Sequence, residues 1–304
     1  MCISSVMSVV KVLTLLQIML LGVKCVEEPE ELVNLLAGSF TDGNHFSTGN
    51  TLPLVSMPWG FNNWSPQTKE GSRRTGSWWF NGNDHELTWM RCTHQPSPWI
   101  GDWGWFLFSP QISHSPDRSP KHFWEPRGAV MKPHLFDAIV APFGIRIELA
   151  PTMHGAIARF TFPPAQSNIY NEAGDRRLCF TEASWGASDE IQQDGKKLHY
   201  LNGRATQINK DRMPVTGFGM HVHITSETDS HLTTTVEDHG ELRCFKYSAA
   251  YGASLGPSDG RVVTIRIATS LISIDQAAVS MRRELPTASG FDDIALVAKR
   301  TWNK

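Results

Sequence analysis

The chain has 304 residues, of which 40% are hydrophobic and 19% are charged, and its formal net charge is −2. This apolar content is enough to bury a sizeable core, and the length suits one large domain or two ordinary ones. No stripe of lysine and arginine runs along the sequence, so we expect no nucleic-acid partner.

The first 25 residues differ from the rest of the chain. An apolar run from Val12 to Val23 follows Lys11, and an acidic segment begins at Glu27. The run is shorter than the roughly 20 residues that span a bilayer, and its length and flanks are typical of a signal peptide. A buried N-terminal helix is the alternative. We predict a signal peptide at 1–25, secretion, and no membrane span after its removal.

Removal of that segment would leave three cysteines, Cys92, Cys179 and Cys244. Three cysteines are too few for a disulfide scaffold in a chain of this size. The sequence leaves two possibilities open, which are one bridge with one remaining thiol, or no bridge.

Short strands dominate the predicted secondary structure. Apolar and charged residues alternate in 145–149, and one face of 156–162 carries Ala, Ala, Phe and Phe. The strand pattern continues in 217–225 and 261–269, and turn residues separate such runs. Because helical periodicity is scarce, we predict an all-β fold, an antiparallel β-sandwich spanning 26–272.

Two amphipathic helices are predicted within residues 273–304. Ser273 or Asp275 would cap the first helix, and Asp292 would cap the second. An apolar stripe on a helix must be buried against something, and the sequence shows no partner for these two stripes. We therefore expect short linker helices at the start of a helical domain that this chain lacks.

Tryptophan is concentrated in one part of the chain, because nine of the eleven tryptophans lie from Trp59 to Trp124. An indole has an apolar body and a polar edge, and the C–H face of a sugar packs well on it while nearby polar groups bind the hydroxyls. His94, Gln95 and Asp102 lie in the same stretch and could supply those groups. Core packing is the alternative for any single tryptophan. For the cluster as a whole we predict a saccharide site.

Two long motifs are specific enough to indicate a family. Residues 57–68 read MPWGFNNWSPQT, and residues 91–104 read RCTHQPSPWIGDWG. They resemble the turn followed by S-P-x-T, and the T-H-x-P-S-P-W-x-x-D-[YW]-G signature, of glycoside hydrolase family 92, the calcium-dependent exo-α-mannosidases. A weaker similarity at 33–39, together with similarity at 130–163 and 271–292, extends the resemblance over nearly all of the predicted mature chain.

The resemblance implies a two-domain enzyme, in which a β-sandwich of the galactose-mutarotase-like supersandwich type precedes an (α/α)6 barrel. Members of the family invert the anomeric configuration, which requires one carboxylic acid on the leaving oxygen and a second carboxylate that activates water. The family supplies both carboxylates and the calcium ligands mainly from the barrel. We therefore expect no catalytic residue, no metal and no cofactor in this chain, and no activity of the chain alone.

Carried onto this chain, the resemblance makes the sandwich one wall of a pocket for mannose-containing glycans. The predicted substrate-binding residues are Trp78, Trp79, His94, Gln95, Asp102, Phe61 and Trp99. We expect Trp79→Ala or His94→Ala in a complete enzyme to weaken substrate use with little loss of folding. The expected partners are mannose-containing glycans and the C-terminal helical domain.

Two alternatives remain open. The first is a standalone secreted lectin-like module that keeps the tryptophan-rich wall without the barrel. The second is a metal-dependent enzyme that uses His221 and His223, which a β-strand would place on the same face. A catalytic metal would need a third ligand, which the sequence does not identify.

Overall fold

A computed structural model describes residues 28–40, 51–68, 79–94, 104–164, 174–193, 196–208, 214–228, 231–249 and 262–304. The strands in these ranges are β1 (Val55–Ser56), β2 (Asn63–Gln67), β3 (Glu86–Leu87), β4 (Trp89–Thr93), β5 (Leu107–Ser113), β6 (His122–Phe123), β7 (Val130–Lys132), β8 (Leu135–Val140), β9 (Ile145–Pro151), β10 (Gly155–Thr161), β11 (Asp175–Thr181), β12 (Ser184–Gln193), β13 (Lys196–Ile208), β14 (Pro214–Thr228), β15 (Leu232–His239), β16 (Leu242–Ala249) and β17 (Val262–Ser270). The helices in the same ranges are two short 3-10 turns, Pro29–Leu32 and Pro126–Gly128, followed by α1 (Ile274–Glu284) and α2 (Phe291–Trp302).

Two antiparallel sheets form the body of the molecule. The first sheet has the strand order β1-β2-β4-β5-β11-β16-β15, and the second has the order β12-β13-β14-β17-β10-β9-β8-β7. Strands β3 and β6 form a separate two-stranded ribbon. The main core contains side chains from both large sheets. The predicted all-β antiparallel sandwich is therefore confirmed.

Strand β9 shows how the sequence pattern builds this core. Ile145, Ile147 and Leu149 point into the main core, while Arg146 and Glu148 lie on the opposite face of the strand. Successive side chains of a strand point to opposite faces, so strict alternation gives one apolar face and one charged face. The two sheets meet across such apolar faces.

The outer face of the second sheet is covered by the two C-terminal helices. Met281 of α1 and Phe291 of α2 pack with Ala150, Ile157 and Ala268 of the sheet in a second buried cluster. The expectation that the helical stripes lack a partner within the chain is therefore wrong for these buried residues, while Val297 of α2 is 56% exposed. The pattern missed this because Ile157 and Ala150 lie on strand faces that read as mixed, and only the folded sheet gathers them into one apolar surface.

The helix caps were predicted with partial success. Ser273 accepts a hydrogen bond from a backbone N–H in the first turn of α1, which confirms it as the cap. At α2, however, Asp293 accepts the N–H of Gly290 at 2.9 Å. Asp292 instead pairs with Arg159 of the second sheet at 3.1 Å. The predicted cap was therefore two residues too late, because Gly290 is the N-cap and Asp292 already lies in the first turn of α2.

One disulfide links directly paired strands of the first sheet. Cys179 of β11 lies opposite Cys244 of β16, and the two are bonded. Cys92 of β4 is buried and free. Of the two possibilities that the sequence left open, the structure has one bridge and one thiol.

The predicted signal peptide at 1–25 lies outside the described residues. In the part of the chain that is described, no helix is long and apolar enough to cross a membrane.

Candidate functional site

Two predicted site residues, Phe61 and His94, lie at the same end of the β2–β4 strand pair in the first sheet. Asn63 of β2 pairs with Thr93 of β4 in antiparallel register. Phe61 lies two residues before Asn63, and His94 follows Thr93, so both lie at this end of the strand pair. The imidazole of His94 packs against the indole of Trp105, with ring centroids 4.9 Å apart.

Trp79 packs in the interior. Its side chain is only 2% exposed, and its ring lies 4.5 Å from the guanidinium carbon of Arg91. A Cβ at Gly104 would come within 3.3 Å of the Trp79 ring, so a larger residue would crowd both Trp79 and Arg91. The predicted sugar contact of Trp79 stays a prediction, and its indole has almost no free surface in this chain.

The buried Arg91 contacts Trp79 and binds two polar side chains. Arg91 donates from Nε to Gln67 Oε1 at 2.7 Å and binds both carboxylate oxygens of Glu182 at 2.8 and 3.3 Å. Such bidentate, charge-assisted pairs are among the stronger hydrogen bonds in proteins. Glu182 holds a left-handed backbone conformation, with φ +61°. A strained residue of this kind persists only where its surroundings fix it, as Arg91 does here.

The tryptophans differ in how far their side chains are exposed to solvent. Those of the tryptophan-rich stretch that are described and buried are Trp64, Trp79, Trp89, Trp105 and Trp124. For these five the alternative of core packing applies, and they do not line a surface. Trp59 is the contrary case, because it is 97% exposed and has a left-handed φ of +60°.

Four predicted site residues cannot be placed. Trp78, Gln95, Trp99 and Asp102 lie outside the described residues. Of the seven, the structure therefore positions Trp79, His94 and Phe61, and it brings the last two to one end of the sheet.

Phe61 contacts two residues that sequence reasoning did not identify as functional. Its N–H donates to the carbonyl of Met153 at 2.7 Å, and its ring lies 5.8 Å from the imidazole of His154. His154 is bound in turn by Glu284 of α1, with Nδ1 2.5 Å from Oε1. The sequence marked His154 only as turn material. Nothing in a linear pattern joins it to a glutamate 130 positions away.

A serine and a histidine elsewhere resemble a nucleophile and its base. Ser109 Oγ lies 3.1 Å from His122 Nε2. Burial lowers the pKa of His122 to about 4, against the opposing effects of a hydrogen bond from the ring to the Pro110 carbonyl and the charge of Asp117. Ser109 is only 1% exposed, so a substrate cannot reach its hydroxyl. We interpret this pair as a structural hydrogen bond.

The histidine pair of the metal hypothesis lies on β14. His223 Nδ1 lies 2.7 Å from Asn202 Oδ1. Burial lowers the pKa of His223 to about 4, and the positive charge of Arg282 acts in the same direction. That charge would also repel a bound cation. In the described ranges, no three His, Cys, Asp or Glu side chains converge to hold a metal ion, so His221 and His223 have no third ligand there.

Comparison with known proteins gives a consistent result. The sequence profile described as the glycosyl hydrolase family 92 N-terminal domain matches residues 32–270. A solved inverting family GH92 mannosidase from Bacteroides thetaiotaomicron VPI-5482 is 25% identical, with a TM-score of 0.67 over 92% of this chain and 36% of that one. A comparison with curated protein sequences gives no significant match.

Two further solved structures share the fold. A family GH92 α-mannosidase from Bacteroides thetaiotaomicron in complex with mannoimidazole is 17% identical, with a TM-score of 0.60 over 91% of this chain and 37% of that one. A GH92 family glycosyl hydrolase, ccman5, is 16% identical, with a TM-score of 0.65 over 90% and 36%. The chain thus spans little more than a third of the length of each of these enzymes. Because the family profile covers most of the chain and agrees with its motifs, the chain belongs to the glycosyl hydrolase family 92 N-terminal domain family.

Proposed function

We propose that this chain is the carbohydrate-binding N-terminal domain of a secreted α-mannosidase-like glycoside hydrolase that acts on mannose-containing glycans. The observation that carries the proposal is the family match over residues 32–270. The likeness to an inverting GH92 mannosidase over 92% of the chain supports the same substrate class.

The geometry at the end of β2 and β4 is compatible with this role. Phe61 and His94 both lie at this end of the strand pair, and Trp105 packs against the His94 ring. A sugar site commonly combines an aromatic surface with a few fixed polar groups. Gln95 and Asp102 continue the same motif, and we propose that they contribute to the same wall.

Hydrolysis is assigned to another part of the complete enzyme. Inversion requires two carboxylates on opposite sides of the scissile bond, about 6.5–9.5 Å apart. In the second sheet, the carboxylate of Glu148 is already engaged by Arg159 at 2.8 Å. We propose that the acid, the base and the calcium ligands lie outside this chain, and that this chain supplies binding only.

Secretion is part of the proposal. The Cys179–Cys244 disulfide supports it, because stable disulfides form in oxidising compartments and are rare in the cytosol. The apolar segment before residue 25 supports it as well.

Two measurements test this function on the purified chain. Methyl α-mannoside is titrated while the protein is observed by NMR, with methyl α-galactoside as the control sugar. We expect weak, saturable binding of the mannoside and weaker binding of the galactoside. An aryl α-mannoside supplied with calcium should show no turnover. Absence of mannoside binding, or turnover by the chain alone, would contradict the proposal.

A second candidate, the standalone lectin-like module, is favoured by one observation. Met281 and Leu285 of α1 and Phe291 and Ile294 of α2 are buried against the second sheet of the chain itself. These four side chains therefore do not require a further helical domain as a partner. Binding of mannose-containing glycans with high affinity by this chain alone would favour the module over the enzyme domain.

A further inference from the structure

His154 lies in the turn between β9 and β10, and three of its four polar atoms have hydrogen-bond partners. The His154 N–H donates to Glu284 Oε2 at 2.9 Å, and Nδ1 lies 2.5 Å from Oε1 of the same carboxylate. The His154 carbonyl accepts from both the N–H and the hydroxyl of Thr269, each at 2.9 Å. Nε2 is the single polar atom of His154 without a partner among the described residues.

A further hydrogen bond holds Thr269, the residue that binds the His154 carbonyl. Asn62 is fully buried and donates to the Thr269 hydroxyl at 2.6 Å. Asn62 is the residue after Phe61, whose ring faces the imidazole at 5.8 Å. The same chain of contacts thus fixes the histidine and ties it to a predicted substrate-binding residue.

Such fixation is unusual for a side chain on an exposed turn. His154 has a side chain that is 48% exposed, so burial does not explain why its ring is held. A side chain that is already ordered loses little conformational entropy when a ligand binds. Binding sites are built in this way, with a functional group positioned by supporting hydrogen bonds.

The chemistry of the free atom indicates the ligand. A carboxylate can only accept, so Nδ1 carries the hydrogen of the bond to Glu284. Nε2 then accepts a hydrogen bond in the neutral ring and donates one in the protonated ring, and a sugar hydroxyl can serve as partner to either form. The Phe61 ring beside it offers an apolar surface for a sugar C–H face.

We propose that His154 is a further glycan-binding residue that contacts a hydroxyl of a mannose-containing ligand through Nε2, and that Glu284 is the positioning residue that orients it. The inference rests on the proposed function. It extends the site from the motif residues of the first sheet to the β9–β10 turn and to α1.

The competing interpretation is a clamp that only joins the turn to α1. The two interpretations predict different measurements. A clamp contributes to the melting temperature and leaves sugar affinity alone, whereas a binding residue contributes to affinity.

The test uses the purified chain, methyl α-mannoside as the probe, and four variants. His154→Ala removes the proposed contact, His154→Gln restores a hydrogen-bonding group, and Glu284→Gln removes the orienting carboxylate. His85→Ala is the matched control, because His85 also pairs with a glutamate, Glu125, at 3.4 Å. Dissociation constants come from NMR titration, and melting temperatures come from calorimetry.

We expect His154→Ala to raise the dissociation constant about threefold to tenfold, the loss expected for one hydrogen bond. Glu284→Gln should raise it less, His154→Gln should recover part of the affinity, and His85→Ala should leave it unchanged. If the parent chain binds and His154→Ala binds equally well, this inference is overturned while the proposed function stands, whatever happens to the melting temperature. If the parent chain binds no mannoside, both are overturned.

Discussion

The guanidinium carbon of Arg91 lies 4.5 Å from the ring centroid of Trp79, and the two side chains bury each other. Arg91 is part of the second motif, and Trp79 is a predicted substrate-binding residue. A cation over an indole face is worth more when both are removed from water. The pair therefore anchors the segment from which His94 and the following motif residues extend.

Trp79→Ala should destabilise the fold. Large-to-small replacement of a buried tryptophan lowers the free energy of unfolding by about 3–5 kcal/mol. Urea unfolding followed by circular dichroism gives this value. Because Trp79 is buried, this prediction differs from the sequence-based expectation that its replacement leaves folding nearly intact.

Trp59→Ala is the matched control for that experiment. Its indole is almost fully exposed, so the unfolding free energy should change by no more than about 0.5 kcal/mol. Equal losses in the two variants would show that indole burial does not determine stability here.

Two left-handed residues should respond in opposite directions to glycine. Trp59→Gly should raise the unfolding free energy by about 1 kcal/mol, because glycine adopts a positive φ without strain. Glu182→Gly relieves the same strain but leaves the buried Arg91 without its carboxylate. We expect a net loss of about 2 kcal/mol or more. Urea unfolding of both variants checks the signs, and a gain in both would mean that the ion pair contributes nothing.

Acid should weaken the fold partly through His122. Burial lowers its pKa from 6.5 to about 4, so the folded protein holds the neutral ring while the unfolded chain takes up a proton. The stabilising effect is complete above pH 6.5 and is lost as the pH falls towards 4. In this window the group adds a slope of up to about 1.4 kcal/mol per pH unit.

His122→Gln should therefore flatten the dependence of the unfolding free energy on pH between 6.5 and 4. The pKa of His223 is also lowered to about 4. His223→Gln should therefore flatten the pH dependence as well, and the double variant should flatten it most. Unfolding curves at half-unit pH steps give the slopes. A His122→Gln profile parallel to that of the parent would count against a neutral buried ring.

The Cys179–Cys244 disulfide should contribute substantially to stability. It closes a loop with a sequence separation of 65, for which chain entropy predicts a contribution of about 4 kcal/mol. The double variant Cys179→Ala/Cys244→Ala should unfold at lower urea concentration, and adding reductant should no longer change its midpoint. A midpoint insensitive to reductant in the parent protein would indicate that the bridge does not form.

Sequence-based prediction succeeded where a structural feature depends only on residues that are close together in the chain. Alternation in β9 predicted the inward face because a strand has a period of two. Ser273 was one of two predicted caps for α1, and the prediction was possible because the bond it makes is local. Asp292 was not assigned correctly, since its partner Arg159 comes from a distant strand.

The candidate site was harder to predict for the same reason. Motif similarity identified Phe61 and His94, and the register of β2 with β4 places both at one end of the strand pair. The contact of His154 with Glu284 depends on how α1 lies on the second sheet, and a linear sequence does not contain that information. Similarly, composition flagged Trp79, but whether an indole is buried or exposed depends on what covers it.

The last prediction concerns whether α1 and α2 unfold cooperatively with the β-sandwich. Met281 of α1 is buried against the second sheet, so Met281→Ala should lower the unfolding free energy by about 2–5 kcal/mol, whereas Met153→Ala at a partly exposed position should cost much less. Helical and β-sheet circular dichroism signals should be lost in one transition in both proteins, because the second buried cluster couples the helices to the sheet. Were the helices an independently folded linker, Met281→Ala would shift the helical signal alone and leave the β-sheet midpoint where it was. A shared shift would place the boundary of the cooperative unit beyond Trp302, with the two helices inside it.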